Sequence, residues 1–225
     1  AEKPCYIYIN NGEIEIRDAA NIWGKTVTDT QWAIHDELND KEVKSLVIGP
    51  AGENLVAYAN VMTGVKNAGG RTGMGAVMGS KNLKAVSCRG TMDVKITHPM
   101  EALEYNKKFI EQITGAKVNQ TQGTLGTPFI WGATNSWGGV RTENFRYNQL
   151  EYADDIEPER IDEIATETMG PYHMAGCFGC QVHCRAQYKI PSGKYKGKYD
   201  EGPEYTSQGA FGAEVGCRSA ETVLA

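Results

Sequence analysis

Apolar and polar residues alternate near the start of the chain in a pattern that predicts strands. Residues 6–9 and 14–16 flank Asn10-Asn11-Gly12, and this turn favours the positive φ angles of a tight hairpin. An apolar period of about 3.6 residues predicts a helix over 28–38. Shorter apolar runs predict strands at 43–48, 55–61 and 83–88. We therefore expect a glycine-rich region of mixed α and β structure up to about residue 95.

The pattern changes after Pro99, where helical spacing predicts helices over 100–113 and 158–169. Acidic residues before the second helix suit its N-terminus, because they complement the helix dipole. Between the two helices, residues 120–148 are rich in Gly, Thr, Asn and aromatic residues and show no clear period. Such a stretch is typical of a functional loop or of a segment wrapped against another part of the protein. The fold class that follows is α+β, with a domain boundary near residue 95.

Composition narrows the class of protein. The 225 residues are 40% hydrophobic and 23% charged, which is typical of a globular protein, and the net charge of -5 argues against a nucleic-acid partner. No apolar run reaches about 18 residues, so we expect no membrane span. The start of the chain lacks the pattern of a secretory signal, so we expect a cytoplasmic protein.

Ala1 replaces an initiator Met, and Ser219 resembles the N-cap of a helix beginning near the last residues. We therefore expect an internal fragment of a longer protein.

A glycine-rich stretch is the first candidate for ligand binding. It contains Gly64, Gly69, Gly70, Gly73, Gly75 and Gly79. Dense glycine lets a backbone approach a ligand, and Arg71 within it can form a bidentate pair with a phosphate or a carboxylate. A helix expected from about Met74 to Lys81 would add its positive N-terminal end. The spacing fits neither the dinucleotide fingerprint nor a phosphate-binding loop. Tight packing of a helix on a sheet therefore stays open as the alternative.

The strongest chemical signal is the run Cys177-Phe-Gly-Cys180-Gln-Val-His-Cys184. Three thiolates at this spacing repel one another unless a metal neutralises them, and they cannot pair evenly as disulfides. We slightly favour an iron–sulfur cluster over zinc, for which His183 or a distant cysteine would be the fourth ligand. Cys217 could complete the site, but we interpret it, like Cys5 and Cys88, as a buried core cysteine.

Four sequence stretches together resemble the aldehyde ferredoxin oxidoreductase family. They are Gly-Pro-Ala-Gly-Glu-Asn at 49–54, the run 67–85, the three cysteines and Glu-Gly-Pro-Glu-Tyr at 201–205. They occur in the order of the family and at about its spacing. The resemblance covers most of the chain and is weakest between about 115 and 170.

The resemblance implies a fold and a chemistry. Residues 1–95 would be the second half of an N-terminal, sheet-based domain that binds tungstopterin, and residues 96–225 the first part of a mainly helical middle domain carrying the iron–sulfur cysteines. The family oxidises aldehydes to carboxylic acids at a tungsten (or molybdenum) bis-pyranopterin centre. Electrons would then leave through a [4Fe–4S] cluster to ferredoxin or another iron–sulfur electron carrier. The resemblance is compatible with a magnesium ion bridging the pterin phosphates and with a homo-oligomer.

The same resemblance implies roles for individual residues. The positions that match pterin contacts are Asn67, Ala68, Gly70 and Arg71, with Asn67 in place of an expected arginine. The positions that match cluster ligands are Cys177, Cys180 and Cys184, and the family's fourth cysteine would lie beyond residue 225. That placement agrees with Cys217 as a non-ligand.

One departure from the family leaves alternative functions open. Thr206 stands where a glutamate near the active metal is expected, and threonine cannot serve as a carboxylate acid or base. A related reductase acting on an aromatic acyl thioester is therefore an alternative. A zinc-stabilised binding module, in which the glycine stretch serves only packing, is the alternative from another class.

Overall fold

The chain divides into two compact units, Ala1–Lys95 and Ile96–Ala225, and the computed structural model describes residues 1–64 and 66–224. The first unit combines a sheet with short helices, and the second is richer in helix. Each unit has its own clusters of buried apolar side chains. The predicted α+β class is confirmed.

Across residues 1–64 and 66–95, the first unit is built around a six-stranded mixed sheet. Its elements are β1 (Cys5–Asn10), β2 (Glu13–Asp18), α1 (Val27–Leu38), β3 (Lys44–Val47), α2 (Pro50–Glu53), β4 (Val61–Thr63), β5 (Asn67–Gly69), α3 (Met74–Gly79) and β6 (Leu83–Arg89). The strand order is β2-β1-β6-β3-β4-β5, in which β1 and β6 are parallel and the other neighbours antiparallel. The first site discussed below lies at the β5 end of this sheet.

The predicted hairpin and first helix are both confirmed. Asn11 and Gly12 have φ angles of 49° and 93°, as the tight turn between β1 and β2 requires. Helix α1 begins after Thr26, whose side chain accepts a hydrogen bond from the backbone N–H of Asp29. The helix packs Ile34 into a core formed with Tyr6 and other residues of the sheet.

The strand predicted at 55–61 is wrong, because the chain turns there and β4 begins only at Val61. The backbone N–H of Leu55 donates to the Gly52 carbonyl at 3.0 Å, and that of Val56 donates to Ala51 at 2.9 Å. Because these N–H groups donate within the turn, they cannot pair with a neighbouring strand. The apolar run that suggested a strand therefore continues the turn after α2.

The backbone around α3 packs against the backbone of α2 and of the turn that follows α2, which explains three glycines of the glycine-rich stretch. A Cβ on Gly75 would lie 2.4 Å from the Asn60 carbonyl oxygen, and one on Gly73 would lie 2.2 Å from that of Ala57. Gly79 is equally close to Gly52. Packing, the alternative left open by the sequence, therefore accounts for these glycines, but a Cβ on Gly70 would meet nothing within 4 Å.

The second unit combines helices with a small antiparallel sheet of order β7-β8-β9. Its elements are α4 (Pro99–Gly115), α5 (Lys117–Leu125), α6 (Trp131–Ser136), α7 (Pro158–Met169), β7 (Met174–Ala175), β8 (Arg185–Lys189), β9 (Tyr199–Glu201), α8 (Tyr205–Phe211) and α9 (Ala220–Val223). Single-turn 3-10 helices also occur at Thr127–Ile130, Ala153–Ile156 and Ala213–Val215.

Residues 120–148, predicted to be irregular, are partly helical. Helix α5 ends at Leu125 and α6 follows from Trp131. Glycine and threonine are weak helix formers, so the sequence of α5 gives only a weak helical signal. Tertiary packing stabilises both helices: a Cβ on Gly123 would lie 2.6 Å from the Val182 carbonyl oxygen, and the Trp131 indole donates to the Ala153 carbonyl at 3.2 Å.

The two longer helices of this unit differ in burial. Helix α7 places Ile161 and Ile164 in a core with Tyr188 of β8. Helix α4 has no buried residue, although its sequence is amphipathic. Among the residues that the structure describes, no helix has both the length and the apolar surface needed to cross a membrane.

Candidate cofactor sites

The first candidate site lies on β5, the last strand of the six-stranded sheet. Asn67 and Ala68 belong to β5, where they face Thr63 and Met62 of β4, and Gly70 follows the strand. Within the part of the chain that the structure describes, β5 pairs with β4 alone. Its outer backbone N–H and C=O groups therefore face away from the sheet and can bind a ligand.

Arg71 supplies a positive charge next to this strand. Its side chain is exposed, and no carboxylate among residues 1–64 and 66–224 forms an ion pair with it. The backbone changes direction immediately afterwards, because Thr72 and Gly73 have φ angles of 77° and 69°. A guanidinium without an acidic partner is suited to phosphate or to the polar edge of a heterocycle.

These residues fit a pterin phosphate in their chemistry. Asn67 offers an amide, Arg71 a forked donor, and Gly70 leaves open space where any other residue would place a Cβ. The structure places the four predicted pterin-contact residues in one short segment, in which all are exposed. Their role as ligand contacts stays a prediction.

A buried ion pair anchors the elements beside this segment. The Lys84 ammonium group contacts the Glu53 carboxylate, and their side chains are 0% and 5% exposed. Lys84 also donates to the Lys25 carbonyl at 2.9 Å, and the Glu53 carboxylate accepts from the Gly24 N–H. Glu53 ends α2 and Lys84 belongs to β6, so the pair fixes α2 to the sheet. Two of the recognised sequence stretches therefore meet in a structural contact.

The second candidate site is the loop between β7 and β8, which contains Cys177, Cys180 and Cys184. The N–H of Cys180 donates to the Cys177 carbonyl at 3.0 Å, which closes a turn between the first two cysteines. Gly179 and His183 have positive φ angles of 71° and 54°. These two positions let the loop fold back, so that the cysteines share one segment of the surface.

The three thiols of this loop differ in their exposure, and burial and neighbouring charges act on the thiol of Cys184. Burial raises the pKa of the Cys184 thiol, and the charges of Glu204, Cys180 and Cys177 raise it further. Cys177 is exposed and Cys180 is half-buried. In the described residues, however, no three His, Cys, Asp or Glu side chains are arranged to hold a single metal ion.

The donor set nevertheless has the chemistry of a cluster site. In an iron–sulfur cluster each thiolate binds a different iron, so the ligands do not converge on one point as zinc ligands do. Three neighbouring free thiols in one loop fit that requirement. Metal binding by these cysteines stays a prediction.

Two residues beside the cysteine loop were not identified from the sequence. Arg185 donates from Nη1 to Cys177 Sγ at 3.8 Å and from Nη2 to the Gly176 carbonyl at 3.3 Å. Its Nε forms an ion pair with Glu201 of β9. Their side chains are only 9% and 6% exposed. A basic residue directly after the last cysteine, at the start of a strand, was the available signal.

The other candidate ligands have different partners. Cys217 is half-buried and its thiol contacts the Ser219 carbonyl at 3.5 Å. Cys88, expected in the core, is exposed near the end of β6. The buried His173 contacts Asp162 at 3.0 Å and the Gly170 carbonyl at 3.0 Å, and so is held by structural contacts.

Thr206 lies at the wall of a separate cavity of about 350 Å³ at the start of α8. Trp131 and Tyr205 form its aromatic side, with ring centroids 5.8 Å apart. Arg141 and Glu214, 3.9 Å apart, are its charged lining residues. The threonine therefore borders a partly aromatic space of small-molecule size.

Comparison with known proteins assigns the family. The model "Aldehyde ferredoxin oxidoreductase, N-terminal domain" matches residues 1–90, and "Aldehyde ferredoxin oxidoreductase, domains 2 & 3" matches residues 104–225. The chain belongs to the aldehyde ferredoxin oxidoreductase family. The resemblance found in the sequence is confirmed.

Curated relatives agree with this assignment. Tungsten-containing aldehyde ferredoxin oxidoreductases from Pyrococcus abyssi and Pyrococcus horikoshii are each 37% identical over 228 residues. An aliphatic sulfonate oxidoreductase, WOR-like subunit, from Pyrococcus furiosus is 30% identical over 240 residues. The chain is covered completely in these comparisons, but it spans only 36% of the two Pyrococcus aldehyde enzymes.

A solved structure has the same fold. It is the active site complex BamBC of benzoyl coenzyme A reductase in complex with 1,5-dienoyl-CoA. The TM-score is 0.73 at 25% sequence identity, and the match covers 100% of this chain and 34% of that one.

Proposed function

We propose that this chain forms part of a tungsten-pterin oxidoreductase that oxidises aldehydes to carboxylic acids. Residues 1–95 would be the second half of the tungstopterin-binding domain, and residues 96–225 the first part of the helical domain that holds a [4Fe–4S] cluster. Electrons would leave one at a time to ferredoxin or a similar iron–sulfur carrier. Family membership supports the class of cofactor, and the residues of the two sites support their division between the units.

The observation that carries the proposal is the cysteine loop. Cys177, Cys180 and Cys184 are free thiols in one loop, and the hydrogen bond from the Cys180 N–H to the Cys177 carbonyl closes a turn between the first two. Such a set is costly as thiolates and is stabilised by a bound cation or cluster. Metal binding would therefore remove the mutual repulsion that the three groups would have as thiolates.

The residues of the first unit would bind and orient the pterin. The Arg71 guanidinium would pair with a phosphate, while the Asn67 amide and the outer backbone groups of β5 would hydrogen-bond to the ring edge. Gly70 would let the ligand approach the backbone closely. The bound metal and pterins supply the two-electron chemistry, and the protein positions them.

The first experiment is metal and sulfide analysis of the full-length protein purified without oxygen. The proposal predicts iron and sulfide in equal amounts together with tungsten or molybdenum. Cys180→Ser and Cys184→Ser should lower iron and sulfide strongly, whereas Cys88→Ser, a cysteine outside the loop, should leave both unchanged. Zinc without sulfide or pterin would sink the proposal.

A second experiment tests the pterin segment separately. Arg71→Ala should lower the tungsten and pterin content of the purified protein by removing the phosphate partner. Lys41→Ala removes an exposed positive charge elsewhere in the same unit and should leave both at the level of the unmodified protein. Equal pterin content in Arg71→Ala, Lys41→Ala and the unmodified protein would exclude Arg71 as a pterin contact.

Reduction of an aromatic acyl thioester is the second candidate function. Thr206 borders the aromatic cavity of about 350 Å³, and its hydroxyl group cannot act as a carboxylate acid or base. The similarity to the benzoyl coenzyme A reductase complex agrees with this candidate only at the level of fold. Assays of the holoprotein with aldehydes plus an oxidised carrier, and with aromatic acyl thioesters plus a reduced carrier, distinguish the two.

A further inference from the structure

Arg185 is a buried cation in contact with the cysteine loop. It opens strand β8 directly after Cys184, and only 9% of its side chain is exposed. Its two terminal nitrogens are both directed at the loop, one toward Cys177 Sγ and one toward the Gly176 carbonyl. The guanidinium is always charged and cannot lose a proton in a protein. A permanent positive charge therefore lies against the sulfur of the first cysteine.

A chain of polar contacts fixes this charge in place. Glu201 of β9, the strand paired with β8, forms an ion pair with Arg185 Nε. The Tyr199 hydroxyl donates to the same carboxylate, and Gln187 donates to the Tyr199 oxygen at 2.7 Å. Burial and the Glu201 hydrogen bond raise the pKa of Tyr199 to about 12, so it stays a neutral donor. The carboxylate holds Nε, which leaves Nη1 and Nη2 to the cysteine loop.

We propose that Arg185 is a positioning residue that raises the reduction potential of the cluster through its hydrogen bond and charge at Cys177 Sγ. The inference rests on the proposed function, because it requires a cluster on this loop. Reduction adds one electron to the thiolate-ligated cluster, supplied by a reductant such as dithionite. No bond forms or breaks, and Arg185 keeps its proton.

The direction of the effect follows from charge. A nearby cation and an N–H donor both stabilise the more negative, reduced state, and hydrogen bonds to the sulfurs are among the groups that set cluster potentials. Glu201 opposes the effect, because its negative charge partly compensates the guanidinium. The guanidinium contacts the sulfur directly, whereas Glu201 acts through it, and Coulomb interactions weaken with distance. The charge of Arg185 therefore has a larger effect on the reduction potential than the charge of Glu201.

This reasoning gives the two partners opposite signs. Arg185→Met should lower the potential, because the donor and its charge are lost. Glu201→Gln should raise it, because the arginine charge is no longer compensated while an amide of nearly the same shape still fills the place beside Nε. If the salt bridge were purely structural, the two variants would not shift the reduction potential in opposite directions, since both would only loosen the loop.

The test is an EPR-monitored redox titration with dithionite on the full-length holoprotein, with iron and sulfide measured on each sample. Arg185→Met, Arg185→Lys and Glu201→Gln are compared with Arg160→Met, which removes a surface arginine paired with Glu163 and Glu221. We expect the lowest potential for Arg185→Met and an intermediate one for Arg185→Lys. The potential should rise in Glu201→Gln and stay unchanged in the Arg160→Met control.

Arg185→Met leaves a buried carboxylate without its cation, so the double variant Arg185→Met/Glu201→Gln provides a second route. It should hold the cluster and still titrate below the unmodified protein. Unchanged potentials in both the double variant and Glu201→Gln would overturn the inference. Loss of the cluster from both Arg185→Met and the double variant, with no shift of the potential in Glu201→Gln, would overturn it as well. Absence of iron and sulfide from the unmodified protein would instead overturn the proposed function.

Discussion

Gly79 of α3 and Gly52 of α2 bring two backbones into contact, since a Cβ placed on Gly79 would lie 2.0 Å from the Gly52 carbonyl oxygen. Gly52 is restricted as well, because its own Cβ would lie 2.8 Å from the Gly75 carbonyl oxygen. Helix α3 therefore cannot move relative to α2 without losing this packing. The segment with Asn67 to Arg71 precedes α3, so its path depends on the same contact.

Gly79→Ala is expected to destabilise the first unit by about 3 kcal/mol, because backbone atoms cannot move aside as a flexible side chain can. Gly90→Ala is the matched control, since a Cβ there meets nothing within 4 Å. Urea unfolding of both variants provides the measurement. Equal stability of the two variants would contradict the packing argument.

Lys84→Met should destabilise the protein by about 3 to 5 kcal/mol, because it leaves the Glu53 carboxylate buried without its cation. Lys84→Met/Glu53→Leu removes both charges and should recover much of that loss. For comparison, Arg160→Met at an exposed pair should cost about 1 kcal/mol or less. Thermal and urea unfolding measure all three. A double variant no more stable than Lys84→Met would show that packing, and not charge, dominates.

Gly123→Ala tests the contact between α5 and the cysteine loop. The added methyl would press on the Val182 carbonyl, 2.6 Å away, and should cost about 1 to 3 kcal/mol while displacing the loop. We expect a lower iron content in protein purified without oxygen. Gly115→Ala, at the end of α4 with nothing within 4 Å, should keep the iron content of the unmodified protein.

Two glutamates of the second unit should respond to pH in opposite directions. Burial, with neighbouring acidic groups, raises the pKa of Glu157, so its stabilising contribution is present in acid and lost as the pH rises through its folded-state pKa. Glu157→Gln should therefore stabilise the protein at neutral pH, with the gain disappearing below the usual glutamate pKa. Unfolding temperatures at several pH values measure this.

Glu221→Gln is the matched comparison. A backbone hydrogen bond, Ser219 and Arg160 lower the pKa of Glu221, so its contribution is present above the usual glutamate pKa and lost as the pH falls through the folded-state value. This variant should be less stable at neutral pH, with the difference shrinking in acid. Parallel pH profiles for the two variants would contradict both assignments.

Much of the fold could be predicted because local signals agree with tertiary structure. Asn11 and Gly12 favour a tight turn, and the apolar spacing of α7 matches its buried face, so the predicted bounds 158–169 are those observed. The strand predicted at 55–61 fails for the opposite reason. Its apolar residues follow a one-turn helix whose carbonyls capture the backbone donors, which periodicity cannot reveal.

The sequence also placed the cysteines in one loop, but not the groups that surround them. The contact between Arg185 and Cys177 requires the chain to reverse at Gly179 and His183. The partner of that arginine, Glu201, comes from another strand. Such contacts depend on strand pairing between distant segments, so a sequence pattern around the cysteines cannot predict them. Cys88 was wrongly expected in the core, because a strand-like run of residues does not reveal which side chains the rest of the unit covers.

Strand β2 has a consequence for the behaviour of the protein in solution. It ends the six-stranded sheet as described, with Ile14 and Ile16 exposed by 69% and 76%. Glu13, Glu15 and Arg17 alternate with these isoleucines, and charged side chains on an edge strand oppose pairing with the edge of another copy. Replacing these three charged residues with apolar ones would therefore turn β2 into a site of aggregation.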